Sequence, residues 1–293
     1  MSFSDQSSPY RVPADGKFDF SELKTSPGDD VPEKSALKKA LKKEIQKITE
    51  LQHTLYAEDK RSVLMVFQAM DAAGKDSTIR AVLTGVNPAG FQVFSFKQPS
   101  QLELEHDFLW RTHSRMPERG RIGVFNRSYY EEVLVVKVHP EYLSNERFDL
   151  PENMDSFWND RYESINNSEK HLEKNGTVIL KFFLNVSKDE QKQRFLSRID
   201  DEHKNWKFSR SDLKERALWP QYQQAYKDLL EVTSTDIAPW YAIPADNKPY
   251  MRLQVATILR KTLENMNPQF PQVGDNKLER LQEAERVLNN EKD

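Results

Sequence analysis

The spacing of hydrophobic positions divides the chain into helical and extended segments. Between residues 33 and 55, apolar side chains recur every three or four positions, and lysines fill the other faces. This spacing is typical of an amphipathic helix. Its apolar positions are Leu37, Leu41, Ile45, Ile48, Leu51 and Leu55.

After this helix, short apolar, β-branched or aromatic runs alternate with helical patterns. The runs predict strands at 62–70, 91–96, 121–126, 177–186 and 239–245. The helical patterns lie at 75–84, 101–115, 128–137, 155–174, 188–199, 211–232 and 250–265. Several runs are too continuously apolar for an exposed sheet, and strands that alternate with helices favour a parallel sheet covered on both faces. The pattern therefore predicts an α/β fold with three layers.

Three parts are predicted along the chain. Residues 1–60 combine an irregular arm, rich in Ser, Pro, Asp and Gly, with the amphipathic helix. Residues 61–270 form the α/β core, in which the polar stretch from about 200 to 218 is suited to a mobile lid over a site. Residues 271–293 form a charged tail.

Composition excludes several classes of protein. The 293 residues carry a formal net charge of −3, so there is no global attraction to nucleic acid or to an anionic membrane. The chain has no cysteine and therefore no disulfide, thiolate nucleophile or cysteine metal site. No apolar stretch approaches the ~20 residues of a membrane span, and residues 1–30 lack the apolar core of a signal peptide. We expect a cytoplasmic protein whose partners are neither nucleic acid nor membrane.

The first predicted core strand runs into a turn that is suited to phosphate binding. Small residues lead to Gly74 and Lys75, and a helical pattern follows at once, which is the setting of a Walker A loop. Backbone N–H groups and the positive helix end attract an anion, and the lysine adds a point charge. The match is imperfect, because Ala69 replaces the first glycine and Asp76 replaces the usual metal-binding hydroxyl. The predicted phosphate-binding residues are Ala72, Ala73, Gly74, Lys75, Asp76 and Ser77.

A carboxylate within this loop indicates a metal ion. Asp71 would repel a polyphosphate unless a cation lay between them, so we expect Mg²⁺ held by Asp71, with Mn²⁺ as a substitute. Asp76 is a second candidate ligand. It could equally be a first-turn acid that the helix dipole favours.

A second polar motif follows the strand at 121–126. Asn126 and Arg127 stand where nucleotide kinases of this architecture place a metal-orienting polar residue and an arginine. We therefore expect both residues in the catalytic site, with Asn126 near the metal.

Several ordered motifs over residues 35–265 resemble the polyphosphate kinase 2 family. They read MDAAGKD at 70–76, GVNP at 85–88, FKQPS at 96–100, HDFLWR at 106–111, FNRSYYEE at 125–132, VHPE at 138–141, NWKFS at 205–209 and DLKER at 212–216. The resemblance implies a P-loop kinase fold with a helical lid and an N-terminal helical extension, Mg²⁺, inorganic polyphosphate as donor and a nucleotide as acceptor. It also suggests homo-oligomers, either dimers or tetramers.

Within this family, Asn126 in place of aspartate is similar to the class III branch, which is associated with phosphorylation of both AMP and ADP. A neutral amide is a weaker metal ligand than a carboxylate, so Asp71 is the firmer prediction.

Donor binding is predicted from the basic residues between 194 and 216. A polyanion needs a local basic surface, and this segment carries Arg194, Arg198, Lys204, Lys207, Arg210, Lys214 and Arg216. A solvated helical surface is the alternative. The resemblance implies that Lys207 and Arg216 close over the transferring phosphoryl and exclude water.

Acceptor binding is predicted from two arginines and two glutamates. Arg111 and Arg115 are candidates for the nucleotide's α-phosphate, because guanidinium groups match phosphate oxygens. Glu131 or Glu132 could accept a hydrogen bond from the adenine amino group, or either could be a surface carboxylate.

The resulting hypothesis is in-line transfer of a terminal polyphosphate phosphoryl to AMP or ADP, with ATP as the product from ADP. Lys75 and the Asp71 metal would stabilise charge on one side, and Arg127 and Arg216 on the other. Two alternatives stay open: an ATP-dependent nucleoside or nucleotide kinase of the thymidylate-kinase-like type, and a non-catalytic P-loop protein that binds phosphate.

Overall fold

The computed structural model describes residues 3–146, 149, 152–272 and 274–291, and it contains a five-stranded parallel sheet. The strands are β1 Ser62–Gln68, β2 Phe91–Ser95, β3 Ile122–Asn126, β4 Thr177–Asn185 and β5 Trp240–Pro244. Their order across the sheet is β2-β3-β1-β4-β5. Every residue of β1 and β4 is buried, as expected for central strands covered on both faces.

Eleven helices lie within the described residues. They are α1 Lys34–Glu58, α2 Lys75–Leu83, α3 Gln101–Leu104, α4 Trp110–His113, α5 Val135–Val138, α6 Met154–Lys174, α7 Lys188–Asp200, α8 Arg210–Ala217, α9 Trp219–Thr233, α10 Lys248–Met266 and α11 Asp275–Asn290. A short 3₁₀ turn precedes them at Phe20–Glu22, and others lie between them at Pro88–Gly90, Tyr129–Val133, Pro140–Asn145 and Asn205–Lys207.

The strand order fixes which helices share a face of the sheet. The chain steps from β1 to β2 in one direction across the sheet and makes its later steps in the other. Because parallel crossovers are right-handed, α2 lies on one face, and α6 and α9 lie on the other. Helix α10 packs against both α1 and α2, which completes the first layer. The predicted three-layer α/β fold with a parallel sheet is confirmed.

Three predicted helices are interrupted. The pattern at 101–115 forms α3 and α4, and Asp107 between them accepts a hydrogen bond from the Leu109 N–H (3.0 Å). The pattern at 128–137 begins as a 3₁₀ turn capped by Ser128. The pattern at 211–232 breaks at Leu218, and Pro220 occupies the first turn of α9. Periodicity missed these breaks because a capping residue or proline ends a helix without changing the apolar spacing.

The N-terminal arm is irregular, as predicted, and it is docked along the edge of the sheet. The Val12 N–H donates to the Trp240 carbonyl (2.9 Å), and the Ala242 N–H donates to the Tyr10 carbonyl (2.8 Å). Val12 itself is buried. The arm thus covers the exposed edge of β5, which would otherwise be open to pairing with another strand.

The sequence also predicts that the chain has no membrane span and that it divides at residues 60 and 270. Among the residues that the structure describes, each helix is too short or too polar to cross a membrane. The division at residues 60 and 270 stays a prediction.

Candidate active site

The loop of residues 69–76 joins the central strand β1 to α2. Ala72 has φ of 63° and Gly74 has φ of 110°, so both lie in the left-handed region. At Gly74 this backbone conformation explains the glycine, since an added Cβ would only touch Met251 and Ser77 at 3.4 Å. The turn brings the Lys75 ammonium back to the Ala69 carbonyl, to which it donates at 2.8 Å. Lys75 therefore lies over the end of β1, as the phosphate-loop prediction requires.

Helix α7 fixes the outer side of this loop. Arg194 donates to the carbonyls of Ala72 (3.1 Å), Ala73 (2.5 Å) and Ala245 (2.6 Å), and Gln191 donates to the Asp71 carbonyl (2.9 Å). Arg194 is buried. Its place among the basic residues of 194–216 predicts a donor-binding surface residue, whereas the structure makes it a support of the loop.

The strand end beside the loop holds Arg127 between two carboxylates. Its guanidinium lies 3.1 Å from Asp71 and 2.9 Å from Glu131. The charge of Glu131, and then that of Asp71 against the effect of burial, raises the pKa of Arg127 above its usual range. Its φ of 66° is unusual for a residue with a side chain, and this conformation turns the chain sharply at the end of β3. The structure thus brings the predicted Asp71 and Arg127 together as an ion pair.

Asn126 and Asp76 form a second link across the site. The Asn126 amide donates to Asp76 at 2.6 Å and more weakly to Ser95 at 3.4 Å. Asp76 therefore has a structural partner on β3 in addition to its place in the first turn of α2.

The residues present fit a Mg²⁺ ion that is shared with a substrate. Among the described residues, no three or more His, Asp or Glu side chains are grouped to enclose a metal. Mg²⁺ in phosphoryl-transfer sites usually takes one or two carboxylates and completes its shell with water and phosphate oxygens. Asp71 is partly exposed, at 30%, and it faces a cavity. This donor set suits such a shared ion, with Asp71 and Asn126 as the predicted ligands.

A cavity of about 270 Å³ lies over the loop. Its walls are Met70 and Asp71 from the loop, Arg127 and Glu131 from the second motif, and Asp212 and Arg216 from α8, together with Tyr222 and Tyr226 from α9. Arg216 donates to the Lys188 carbonyl (2.6 Å) and to Gln191 (2.9 Å). Helix α8 thus forms one wall of this cavity, and its role as a lid stays a prediction.

Two other predicted lid residues, Arg198 and Arg210, do not line this cavity. Arg198 packs over the Phe195 ring at 5.6 Å, and Arg210 is exposed at the start of α8. Lys207 belongs to the turn Asn205–Lys207, and its side chain lies outside the described part of the structure.

A second cavity, of about 520 Å³, adjoins the first and shares Arg127, Glu131 and Val135 with it. Arg111 and Glu132 line this second cavity. Arg111 is held by the Lys97 carbonyl at 2.8 Å and lies over the Phe96 ring at 5.5 Å. Of the predicted acceptor residues, the structure therefore gathers Arg111, Glu131 and Glu132.

The fourth predicted acceptor residue, Arg115, does not line the second cavity. It packs over Phe94 at 5.5 Å and lines a neighbouring cavity, whose wall it shares with Arg111.

Glu132 is the unusual residue of the second cavity. It is only 8% exposed, and its Oε2 atom has no hydrogen-bond partner among the described residues. The Arg161 guanidinium lies 3.9 Å away and is paired more closely with Glu146, at 2.5 Å. Burial, and next the Glu146 carboxylate, raise the pKa of Glu132 to about 8. Such an acceptor, which has no hydrogen bond from the described residues and lies at a cavity wall, is suited to a ligand donor.

A group of cations that the sequence pattern does not predict lies beside the loop. Burial and the charges of Arg80 and Arg194 lower the pKa of Arg252, and burial with the Arg194 charge lowers that of Lys248. The Arg252 Nε atom has no partner among the described residues. Lys248 and Arg252 are four residues apart in the first turns of α10, a spacing that places both on one face. Nothing in that spacing indicates that the face adjoins the phosphate loop.

A parallel sheet, a lysine-bearing loop after its central strand and an arginine at the end of the adjacent strand define a P-loop kinase fold. The sequence model of the polyphosphate kinase 2 family matches residues 32–271, which is well over half of the chain. The chain belongs to the polyphosphate kinase 2 family.

Known proteins similar to this chain match it over most of its length. At 52% identity it is similar to an ADP-polyphosphate phosphotransferase of Rhodopseudomonas palustris, and the match covers 90% of this chain and 91% of the relative. An AMP/ADP-polyphosphate phosphotransferase of Meiothermus ruber is 46% identical over 90% of this chain and 95% of the relative. The crystal structure of polyphosphate kinase 2 from Arthrobacter aurescens matches with a TM-score of 0.85 at 36% identity, over 97% of each chain.

The electrostatics of Lys75 lead to a pH-dependent prediction. Burial, and then the Arg127 charge, lower the pKa of Lys75 from 10.5 to about 8, against the opposite effects of Asp71, Glu131 and Asp76. Between these two values the unfolded chain binds more protons than the folded one. The free-energy cost of burying the charged lysine is therefore complete below about pH 8 and decreases as the pH rises toward 10.5. We expect Lys75→Met to stabilise the protein more at pH 7 than at pH 9.5, relative to wild type.

Urea unfolding at both pH values measures this difference. Lys38→Met, at an exposed position of α1, is the matched control and should show no such change. An equal effect of Lys75→Met at both pH values would contradict a lowered lysine pKa.

Proposed function

We propose that this protein is a phosphotransferase that moves the terminal phosphoryl group of inorganic polyphosphate to ADP and AMP. The observation that carries the proposal is the pair of adjoining cavities, one over the phosphate loop and one beside it, with Arg127 and Glu131 in both walls. Transfer between two anions requires two sites that meet at a cation. The relatives support this proposal: the Rhodopseudomonas palustris protein is named for ADP and polyphosphate, and the Meiothermus ruber protein for AMP, ADP and polyphosphate.

The donor's terminal phosphates would occupy the loop over Lys75, with contributions from Ala72, Ala73, Gly74, Asp76 and Ser77. The rest of the polyanion would lie against the cations Arg80, Lys248 and Arg252, and against Arg198, Lys207 and Arg210. A chain of linked phosphates suits this group better than a single triphosphate, because the cations continue beyond the loop. Such binding weakens with salt, since it depends on many exposed charges.

The acceptor nucleotide would occupy the second cavity. Arg111 is placed to contact its phosphates, and Glu132 would accept a hydrogen bond from the amino group of adenine. Glu131 is less suited to the base than the sequence suggested, because it is paired with Arg127 at 2.9 Å.

Arg127 would contact the moving phosphoryl group from the wall between the cavities, and Arg216 would contact it from the lid. An oxygen of the acceptor phosphate forms the new bond to phosphorus while the bond to the bridging oxygen of the chain breaks, and the shortened chain leaves as an oxyanion. The attacking oxygen carries no proton, so no general base is needed. Positioning and charge neutralisation supply most of the catalysis in such reactions.

Asp71, with Asn126 beside it, would hold the Mg²⁺ ion, for which Mn²⁺ can substitute. When bound, this ion would neutralise phosphate charge and orient phosphate oxygens. Asp71 and Glu131 also hold the Arg127 guanidinium on the wall shared by both cavities.

The cellular setting stays a prediction from the sequence. We expect a cytoplasmic dimer or tetramer, with no nucleic acid or membrane as partner, an arm and helix over residues 1–60, a core over 61–270 and a tail over 271–293.

A donor assay tests the reaction itself. Purified protein with Mg²⁺, ADP and polyphosphate of defined length should form ATP, and AMP should form ADP. Lys75→Ala should lower kcat on the order of 10²–10⁴-fold, because a few kcal/mol of transition-state stabilisation are lost. Lys38→Ala is the matched control. Transfer from ATP but not from polyphosphate would contradict the proposal, as would nucleotide binding without transfer from either donor.

Base recognition is tested at Glu132. Glu132→Met keeps the volume of the side chain but removes the acceptor, so we expect the KM for ADP to rise roughly tenfold while the KM for polyphosphate stays unchanged. Inosine diphosphate lacks the amino group, so wild type should prefer ADP to it, and the variant should not. Glu163→Met, at an exposed position of α6, is the control. An unchanged preference for ADP would exclude Glu132 from base recognition.

A further inference from the structure

A buried ion pair in the core has no part in the reaction as proposed. Lys181 on β4 lies 2.6 Å from Glu169 on α6, and the side chains are 0% and 1% exposed. Removing two charges from water is costly, and a buried pair is often replaced by apolar residues without loss of stability. Stability alone therefore explains its presence poorly.

The pair joins four elements of the fold: β4, α6, the turn Tyr129–Val133 and α9. Glu169 Oε1 accepts hydrogen bonds from the hydroxyls of Tyr129 (2.8 Å) and Tyr130 (2.9 Å). The Lys181 ammonium donates to Glu169 (2.6 Å), to the Tyr130 hydroxyl (2.9 Å) and to the Thr233 carbonyl (2.6 Å). All three N–H donors of the ammonium are used, so the group has a single defined arrangement.

One of these links leads to the second motif. Tyr129 and Tyr130 begin the 3₁₀ turn that follows Arg127 by two residues, and Glu131 in the same turn pairs with Arg127. Ser128 accepts hydrogen bonds from the Tyr130 N–H and from the Gln68 amide, both at 3.1 Å. The φ of 66° at Arg127 costs free energy and persists only where the surroundings fix it. The buried hydroxyls of Tyr129 and Tyr130 anchor the turn that follows Arg127.

The other link leads to the wall of the loop cavity. Thr233 is the last residue of α9, and Tyr222 and Tyr226 on the same helix line the cavity over the phosphate loop. Lys181 therefore connects the end of α9 with the turn that carries Arg127 and Glu131.

We propose that Lys181 and Glu169 are positioning residues for phosphoryl transfer, which hold the Arg127 turn and α9 in register through Tyr129, Tyr130 and Thr233. This inference rests on the proposed function, because its effect is measured on transfer from polyphosphate. It goes beyond that function because it assigns a catalytic consequence to a charged pair that touches no substrate.

Two double variants test it. Tyr129→Phe/Tyr130→Phe removes the hydroxyl anchors but keeps the rings, and Lys181→Met/Glu169→Gln removes the charges but keeps an acceptor for the tyrosines. We expect each to lower kcat ~10–100-fold, the range for a misplaced catalytic group, with little change in either KM. The control Ser62→Ala/Thr177→Val removes a buried pair of hydroxyls, 3.0 Å apart, at the first residues of β1 and β4. These residues lie at the end of the sheet opposite the site. It should change the melting temperature but not kcat.

A double-mutant cycle with Arg127→Ala separates positioning from general damage. If the anchors act through Arg127, the tyrosine variant should lose no further kcat in the Arg127→Ala background. Additive losses, or a normal kcat in the folded tyrosine variant, would overturn the inference. The tyrosine variant alone still tests the inference if Lys181→Met/Glu169→Gln does not fold.

A readout without turnover keeps this inference separate from the proposed function. The NMR signal of the Arg127 side-chain N–H, assigned by its loss in Arg127→Ala, should be sharp in wild type and broadened in the tyrosine variant. An unchanged signal would overturn the positioning role even if the wild-type protein transferred no phosphate. Absence of transfer by wild type would contradict the proposed function alone.

Discussion

Charge balance at the end of β1 is the constraint on which the rest of the site depends. Lys75, Asp71 and Arg127 meet there, and each changes the electrostatic setting of the others: Arg127 pairs with Asp71, and its charge helps to lower the pKa of Lys75. A bound phosphate chain would add several negative charges to this group. Arg194 supports the loop from α7, α8 forms a wall of the cavity over it, and Lys248 and Arg252 of α10 add positive charge beside it.

The parallel sheet explains why these residues meet. β3 is the neighbour of β1, so the carboxyl ends of both strands lie at one edge, and Phe67 is in register with Asn126. Ligands bind at this edge in open α/β sheets. The same topology returns α10 to the face of α2, where its first turns add positive charge beside the loop. One strand order thus brings together the phosphate loop, the arginine between the cavities and the cations in the first turns of α10.

Much of this arrangement could be predicted from the sequence, and the exceptions have physical reasons. The strands, the loop with Lys75 and the family followed from local pattern, because a buried strand, a small-residue turn and a helix start are encoded within a few positions. Spacing along one element carries no information on which elements are neighbours in the fold. It therefore could not predict the pairing of Asp71 with Arg127, the support of the loop by Arg194, or the position of the cations Lys248 and Arg252. The breaks at Asp107 and Leu218 depend on caps and a proline that leave the apolar period intact. The roles of the individual site residues stay predictions.

The most direct measurement is a crystal structure of the protein with a non-transferable polyphosphate analogue, Mg²⁺ and ADP. We expect the terminal phosphates within hydrogen-bonding distance of the Lys75 ammonium, with Arg127 between them and the nucleotide in the second cavity. Phosphate density elsewhere, with the loop of residues 69–76 free of anion, would contradict the charge balance described above.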